Sequence, residues 1–322
     1  MKTVSAPKRI FGSKNITLIG AIVVVVLFYY LIKPTYLSGN NIRSIMNAMS
    51  LSGMLCVGIT VLLICGEVDL ASGSEAMLGG IVCGLCLQAG LPVVVSILVA
   101  VAFGVVAGLI NALLINVLNL MSFIASIGMS SVYIGLGAFM TEGSGVNLSG
   151  NILLLGSTAL FNTIPLPFVV MLVLLIVYGF ILRYTNLGRT IYMVGGNRMA
   201  ARLTGINPKR ITTAMFINNG VIASLAGVLL ASRMHVANPN AASTGALDAI
   251  TAAVLGGVSF VGGVGGMGGC FIGIVLMNAF TNGLTGVGLT TNYQLIAQGI
   301  LLIIALSVDF FGEQARQRKL LG

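Results

Sequence analysis

Charge is what this sequence has least of. Sixteen Lys and Arg and seven Asp and Glu are spread over 322 residues, so 7% of the chain is charged while 57% is apolar. Soluble domains carry roughly 25% charged residues, and a water-facing surface cannot be built from so few. The acids form no cluster suited to metal-assisted chemistry, and neither HExxH nor G-x-S-x-G with partner residues occurs. Soluble oxidoreductases, nucleases and kinases are excluded, and an intramembrane enzyme lacks its catalytic groups. The one histidine, His235, falls in a loop and reads as a solvated surface residue. Cys56, Cys65, Cys83, Cys86 and Cys270 all sit inside apolar runs. The Cys83–Cys86 CxxC has no second pair and no nearby histidine, so it reads as helix packing rather than a zinc site. The 43 glycines follow no Gly-X-Y period, which excludes collagen.

What the chain does have is uncharged length. Ala76 to Thr141 is 66 residues without a charge, Ala249 to Val308 is 60 and Gly143 to Leu182 is 40. A bilayer span needs about 20 apolar residues, so these runs predict an all-α, polytopic transmembrane helical bundle. Outer-membrane strands would alternate polar and apolar residues over roughly 10 positions, and these runs do not. The run from Asn15 to Ile32 lacks a small-residue cleavage site and reads as an uncleaved first span. Ser44–Cys65 is the second. Breaks at Gln88–Pro92 and Asn116–Asn119 divide the longest run into Ala76–Gln88, Pro92–Ile115 and Leu120–Met140. Pro167–Leu182 and Ile211–Ser232 follow, and the final run divides at Gly262–Gly269 and Gly283–Asn292. About ten spans result. The organisation expected is a single transmembrane domain: 1–14 cytoplasmic, 15–182 spans one to six, 183–210 a cytoplasmic loop, 211–309 spans seven to ten, and 310–322 a cytoplasmic tail.

Net charge of +9 would point a soluble chain toward nucleic acid; here the placement of the charges is topological, and no nucleic-acid partner is expected. Thirteen of the sixteen Lys and Arg lie in three regions: the N-terminus, 183–210, and the tail with Arg316, Arg318 and Lys319. Such residues mark cytoplasmic segments, and six plus four spans place all three on that side, with both termini cytoplasmic. Residues 33–43, 142–163 and 233–246 then face outside. Tyr29, Tyr30 and Tyr36 sit at the outer interface, and Tyr184 and Tyr192 near the inner one.

Asp69–Ile81 and Leu247–Val258 echo each other, each placing Leu-Gly-Gly after an Asp. They open the third and eighth spans, and an offset of five spans inverts the second copy, so two inverted five-span halves are expected. Gly80/Gly84, Gly104/Gly108, Gly265/Gly269 and Gly269/Gly273 have the spacing that lets helices approach closely. The run Gly262–Gly269 has no following Lys-Ser/Thr, so it is a tight turn or broken helix rather than a phosphate cradle. The deep interior of the spans reads as free of Asp, Glu, Lys and Arg, which proton relays require. Its polar positions are neutral: Asn47, Gln88, Asn111, Tyr133, Asn218, Asn219, Asn278, Asn282 and Gln298. Asn47, Asn111, Asn218, Asn219 and Asn278, with Phe123, are the candidate translocation path. Such a lining suits a neutral, hydroxyl-rich solute; helix–helix hydrogen bonding by the amides is the competing reading.

The segment from Asn186 to Pro208 is the sizeable polar loop of the inner face. Asn197 fits an N-cap, Arg198–Leu203 a two-turn helix, Gly205 its C-terminal glycine, and Pro208 lies beyond. Ala200 and Ala201 leave room for close docking of a motor subunit; an ordinary connector with its Arg residues on lipid headgroups is equally compatible.

Leu187, Gly188, Arg189, Ile191, Tyr192, Gly195, Gly196, Asn197, Ala200, Ala201, Gly205 and Ile206 resemble the characteristic loop of permease subunits of monosaccharide ATP-binding-cassette importers, the ribose and galactose type. Gly66–Ser74, Leu247–Gly263 and Ser122–Gly128 are similar to three further motifs of that family, in the family's order. Ala246, Ile134 and Met121 depart from it where Glu, Arg and Pro are usual, which bears on the solute rather than the class. The resemblance implies a multi-pass protein of the bacterial inner membrane, with a second permease copy (homodimer or paralogous heterodimer), a cytoplasmic ATPase subunit and a periplasmic or extracellular sugar-binding protein as partners. ATP and Mg would belong to the ATPase; no cofactor is expected in this chain. Gly195, Gly196, Asn197, Ala200, Ala201 and Gly205 would form the ATPase-coupling loop. Permeation of a nucleoside, branched-chain amino acid or autoinducer stays open, as does a self-contained drug/metabolite-type transporter.

Overall fold

The computed structural model describes residues 13–161, 163–241 and 245–321. The basic residues Lys2, Lys8 and Arg9 lie outside the described residues. Helices dominate because a chain with this composition must satisfy its backbone internally if it lies in lipid. In chain order they are α1 (Ser13–Ile32), α2 (Gly39–Ile64), α3 (Ser72–Gln88), α4 (Val93–Asn116), α5 (Ser122–Met140), α6 (Leu153–Ser157), α7 (Leu166–Tyr184), α8 (Asn186–Gly196), α9 (Arg198–Leu203), α10 (Pro208–Met234), α11 (Gly245–Leu255), α12 (Met267–Gly286) and α13 (Thr291–Leu321). Six of them, α2, α4, α5, α7, α10 and α12, are long and apolar enough to cross a membrane, and 18–32, 245–255 and 292–307 are shorter apolar helical stretches. Two-residue strands tie the connections together. β1 (Val146–Asn147) pairs antiparallel with β4 (Val236–Ala237), and β2 (Ala159–Leu160) with β3 (Ile164–Pro165).

Two helices form the centre. In α2 and α10 the most apolar windows are 78% and 61% buried, against 17% in α7 and 22% in α5. Around them the neighbours fall into two matching sets. α10 packs on α3 and α4 as α2 packs on α11 and α12, and α3 packs on α4 and α5 as α11 packs on α12 and α13. Glycine permits the closest of these contacts. A Cβ on Gly104 would lie 2.4 Å from the Gly220 carbonyl oxygen and one on Gly108 2.3 Å from that of Phe216, so α4 rests backbone to backbone on α10.

Two expectations are corrected. The third helix opens at Ser72, not Ala76, and takes Glu75 into its first turn. The interior is not free of charge either: Asp69 and Glu75 are fully buried, and Glu67 nearly so. Counting uncharged runs started the span after the last acid, whereas the helix starts where Asp69 and Ser72 satisfy its backbone. The Ala71 amide donates to Asp69 Oδ1 at 2.8 Å, and the Ser72 hydroxyl to the Asp69 carbonyl at 3.0 Å. A further difference concerns the polar stretch 186–196, which is helical, so the 186–205 segment is two helices, α8 and α9.

Candidate functional site

The segment between α2 and α3 is the place where the molecule's polar chemistry gathers. α2 ends on Gly66, whose φ of +80° is a left-handed conformation open to glycine. The Gly66 amide donates to Leu63 O at 2.9 Å and the Glu67 amide to Leu62 O at 3.0 Å, the paired bonds of a Schellman stop. The chain then turns back on itself, which puts Glu67 at the α8–α9 end of the bundle and Asp69 between α3, α4 and α10.

Asp69, Ser72 and Glu75 recur every three residues across the helix start and so share a face. α4 meets that face with Asn111 and α10 with Asn219, both fully buried. Asn219 Nδ2 donates to Asp69 Oδ2 at 2.9 Å and to Ser72 Oγ at 2.8 Å. Asn111 Nδ2 donates to Glu75 Oε1 at 2.9 Å and, more weakly, to Asp69 Oδ2 at 3.5 Å. Tyr133 of α5 closes the cluster, its hydroxyl on Ala107 O at 3.2 Å.

Of the six residues expected along a path, the structure thus joins Asn111 and Asn219. The others lie apart. Asn218 faces α7 and accepts from the Tyr178 hydroxyl. Asn278 of α12 donates to Ser52 of α2 at 2.9 Å. Asn47 is half-buried, and its carbonyl accepts from Arg233 at 2.7 Å. Phe123 is 49% exposed on the outer surface of the bundle and lines none of these contacts. The residues that composition missed, Glu67, Asp69, Ser72 and Glu75, did leave a signal: three of only seven acids fall within nine positions, between two apolar segments.

The candidate coupling loop is built on the same junction. Asn197 caps α9, its Oδ1 accepting from the amides of Met199 at 2.9 Å and Ala200 at 3.0 Å. Gly205, at φ +83°, ends it. Ala201 turns inward and is buried, so its small size serves packing within the chain, whereas Ala200 is exposed. Met199 and Leu203, one helical turn apart, project outward at 64% and 84% exposure. Arg198 reaches inward to an ion pair with Glu67, whose side chain is 5% exposed against 46% for the arginine. Removing the arginine would strand a carboxylate that is nearly out of water, so α9 is tethered to the α2–α3 turn.

Backbone contacts reinforce that tether. Gly263 donates its amide to Ile64 O at 2.8 Å, and a Cβ on Gly195 would lie 1.8 Å from the same oxygen. Gly196 sits against Gly263, and Gly262 against Gly66. The glycines that end α8 and those that follow α2 and α11 therefore meet at one point. Tyr192 of α8 adds a bond from its hydroxyl to Gly265 O at 2.8 Å, and burial pushes that phenol above its ordinary range. Of the run 262–269, expected to be a tight turn or a broken helix, 262–266 is irregular chain and 267–269 open α12.

At the opposite end a cleft of about 290 Å³ opens beside α1, α2 and α12, lined by Lys33, Tyr36, Ser38, Asn40, Asn41 and Gly286 among others. No group of three or more His, Cys, Asp or Glu side chains that could hold a metal occurs among the described residues.

Comparison with known proteins gives this chain its family. The family model described as branched-chain amino acid transport system / permease component matches residues 41–306. The ribose import permease protein RbsC of Bacillus subtilis (strain 168) is 31% identical over 289 residues, covering 89% of this chain and 89% of its own length. The L-arabinose ABC transporter permease protein AraH of Azospirillum brasilense is 32% identical over 284 residues, 88% of this chain and 84% of its own. The probable ABC transporter permease protein YphD of Escherichia coli (strain K12) is 31% identical over 299 residues, 92% and 90% respectively. No solved structure matches. Matched by the family model from 41 to 306 and over most of its length by full-length permeases, this chain belongs to that family of transport-system permease components.

Proposed function

We propose that this chain is the membrane-spanning subunit of an ATP-binding-cassette importer that moves a monosaccharide, of the ribose or galactose kind, across the bacterial cytoplasmic membrane. The observation that supports it most is the build of 186–205: a short capped helix that offers Met199 and Leu203 outward while Arg198 ties it to a buried turn between two spans. An idle connector needs no such tie. The sugar is inferred from the ribose and arabinose named for the relatives; the description of the family model favours a branched-chain amino acid instead.

In this reading ten segments cross the membrane: α1 to α5, α7 and α10 to α13. The matching neighbour sets of α2 and α10 support two five-span halves related by inversion. The Arg and Lys of 183–210 put α8 and α9 in the cytoplasm with both termini. A separate ATPase holds ATP and Mg, docks on α9 and drives alternating access in a dimer of permeases. A sugar-binding protein delivers solute from outside. Turning a 1:99 population of states into 99:1 takes ~5.5 kcal/mol of differential interaction, which closure of a motor dimer around ATP can supply.

The test is co-purification of the chain with its ATPase, followed by ATP-dependent uptake into proteoliposomes with the binding protein supplied. Leu203→Asp should abolish co-purification and leave thermal stability unchanged, because Leu203 is 84% exposed. Uphill transport by the lone subunit, or unchanged co-purification of the variant, would overturn the reading. The sugar and amino-acid readings separate on which radiolabelled solute the binding protein retains.

A further inference from the structure

The cluster between α3, α4 and α10 holds more acceptor oxygen than it has hydrogen to offer. Its donors are all engaged: both amide hydrogens of Asn219 and of Asn111, the Ser72 hydroxyl and the Ala71 amide. Three oxygens remain buried with no partner, Glu75 Oε2, Asn111 Oδ1 and Asn219 Oδ1. The two carboxylates are not compensated alike. Asp69 accepts from the Ala71 amide on one oxygen and from Asn219 and Asn111 on the other, just ahead of the helix N-terminus. Glu75 accepts from Asn111 alone, on one oxygen. Glu75 is the carboxylate left short of donors, with Oε2 buried and unpartnered.

Among the described residues no basic side chain is placed to meet it. α3, α4 and α5 contain no Lys, Arg or His. α2 has Arg43 in its opening turns, and α10 has Lys209 and Arg210 in its first turn and Arg233 in its last. Arg198 is engaged by Glu67. Tyr133 is the other titratable group facing the pair, and its hydroxyl is committed to Ala107. A bare carboxylate in so dry a place is untenable. Among the described residues no third acid or histidine joins the cluster, which speaks against a transition metal or calcium, and the one carboxylate short of donors calls for one positive charge.

We propose that Glu75, with Asp69, Asn111, Asn219 and Ser72, forms a binding site for a single monovalent cation, a proton or Na⁺, buried where α3 meets α4 and α10. Glu75 Oε2 is the primary ligand, and Asn111 Oδ1 accepts from the proton or coordinates the metal. The bound charge holds the first turn of α3 to the two longer helices, so occupancy and the packing of α3 rise and fall together. The site does not depend on the chain being an importer.

The experiment uses the purified full-length chain in detergent. Its melting temperature is measured in NaCl against choline chloride at equal ionic strength, radiolabelled Na⁺ binding is measured at equilibrium, and infrared difference spectra are taken across a pH step. If Na⁺ is the occupant, melting rises saturably with Na⁺, one ion binds per chain, and Glu75→Gln loses both. If a proton is, Na⁺ has no effect and a protonated-carboxyl band is present that Glu75→Gln removes. Should that variant fail to fold, ¹³C-glutamate labelling of the wild-type chain assigns the band by its shift. Absence of both a Na⁺ response and a glutamate protonated-carboxyl band would overturn the proposal.

Discussion

Removing Arg198 should cost more stability than removing its partner. The Glu67 side chain is 5% exposed and Arg198 46% exposed, so truncating the arginine leaves a carboxylate that water cannot reach. A fully buried pair broken in this way loses about 3–5 kcal/mol, whereas exposed pairs contribute about 0–1 kcal/mol. With one partner buried and the other half in solvent, Arg198→Ala should lose about 2–3 kcal/mol. Glu67→Gln strands nothing, since the freed guanidinium turns to water, and should lose about 1 kcal/mol. The Arg198→Ala, Glu67→Gln double variant should then be more stable than Arg198→Ala alone, a coupling of roughly 1–2 kcal/mol. Unfolding of the four proteins in one detergent, followed by tryptophan-free near-UV circular dichroism or a thiol-reactive dye on the buried cysteines, reads the cycle. Arg198→Ala within about 0.5 kcal/mol of wild type, the usual range for a surface change, would refute the tether, as would strictly additive losses.

Two further outcomes follow from the packing. Gly195→Ala should prevent a monodisperse chain from being recovered, because its Cβ would fall 1.8 Å from Ile64 O and 2.8 Å from Gly263 N. Gly196→Ala, with nothing within 4 Å of the new carbon, should elute like wild type on size exclusion. Cys56 of α2 and Cys270 of α12 hold their sulfurs 3.1 Å apart and both are free thiols. A membrane-permeant oxidant should therefore join them, and a chain cut within 142–161 should stay in one piece on a non-reducing gel. Cys270→Ser should release the fragments, and release from the oxidised wild type would contradict the contact of these two helices.

The helices were legible because run length in an apolar chain is a local quantity. Pro208–Met234 encloses the expected span 211–232, and Leu166–Tyr184 encloses 167–182. The capping of α9 was legible for the same reason: Asn197, Gly205 and Pro208 each act on their own neighbouring backbone. What escaped were relations set by rotation of one helix against another. Ala201 faces inward and Phe123 outward because of how α9 and α5 lie on their neighbours, and neither orientation is written in the residue's own surroundings along the chain.

The amino-acid sequence by itself determined that this is a helical membrane permease and where most of its long apolar helices lie. Only the tertiary structure decided that Asp69 and Glu75 lie inside the bundle. Asn219 is 150 residues from Asp69, and Asn111 is 36 from Glu75. They meet because glycines at 104, 108 and 220 let α4 and α10 close to backbone contact. Burial of a charge depends on such distant packing, since a carboxylate can leave water only where other segments bring the donors that replace it.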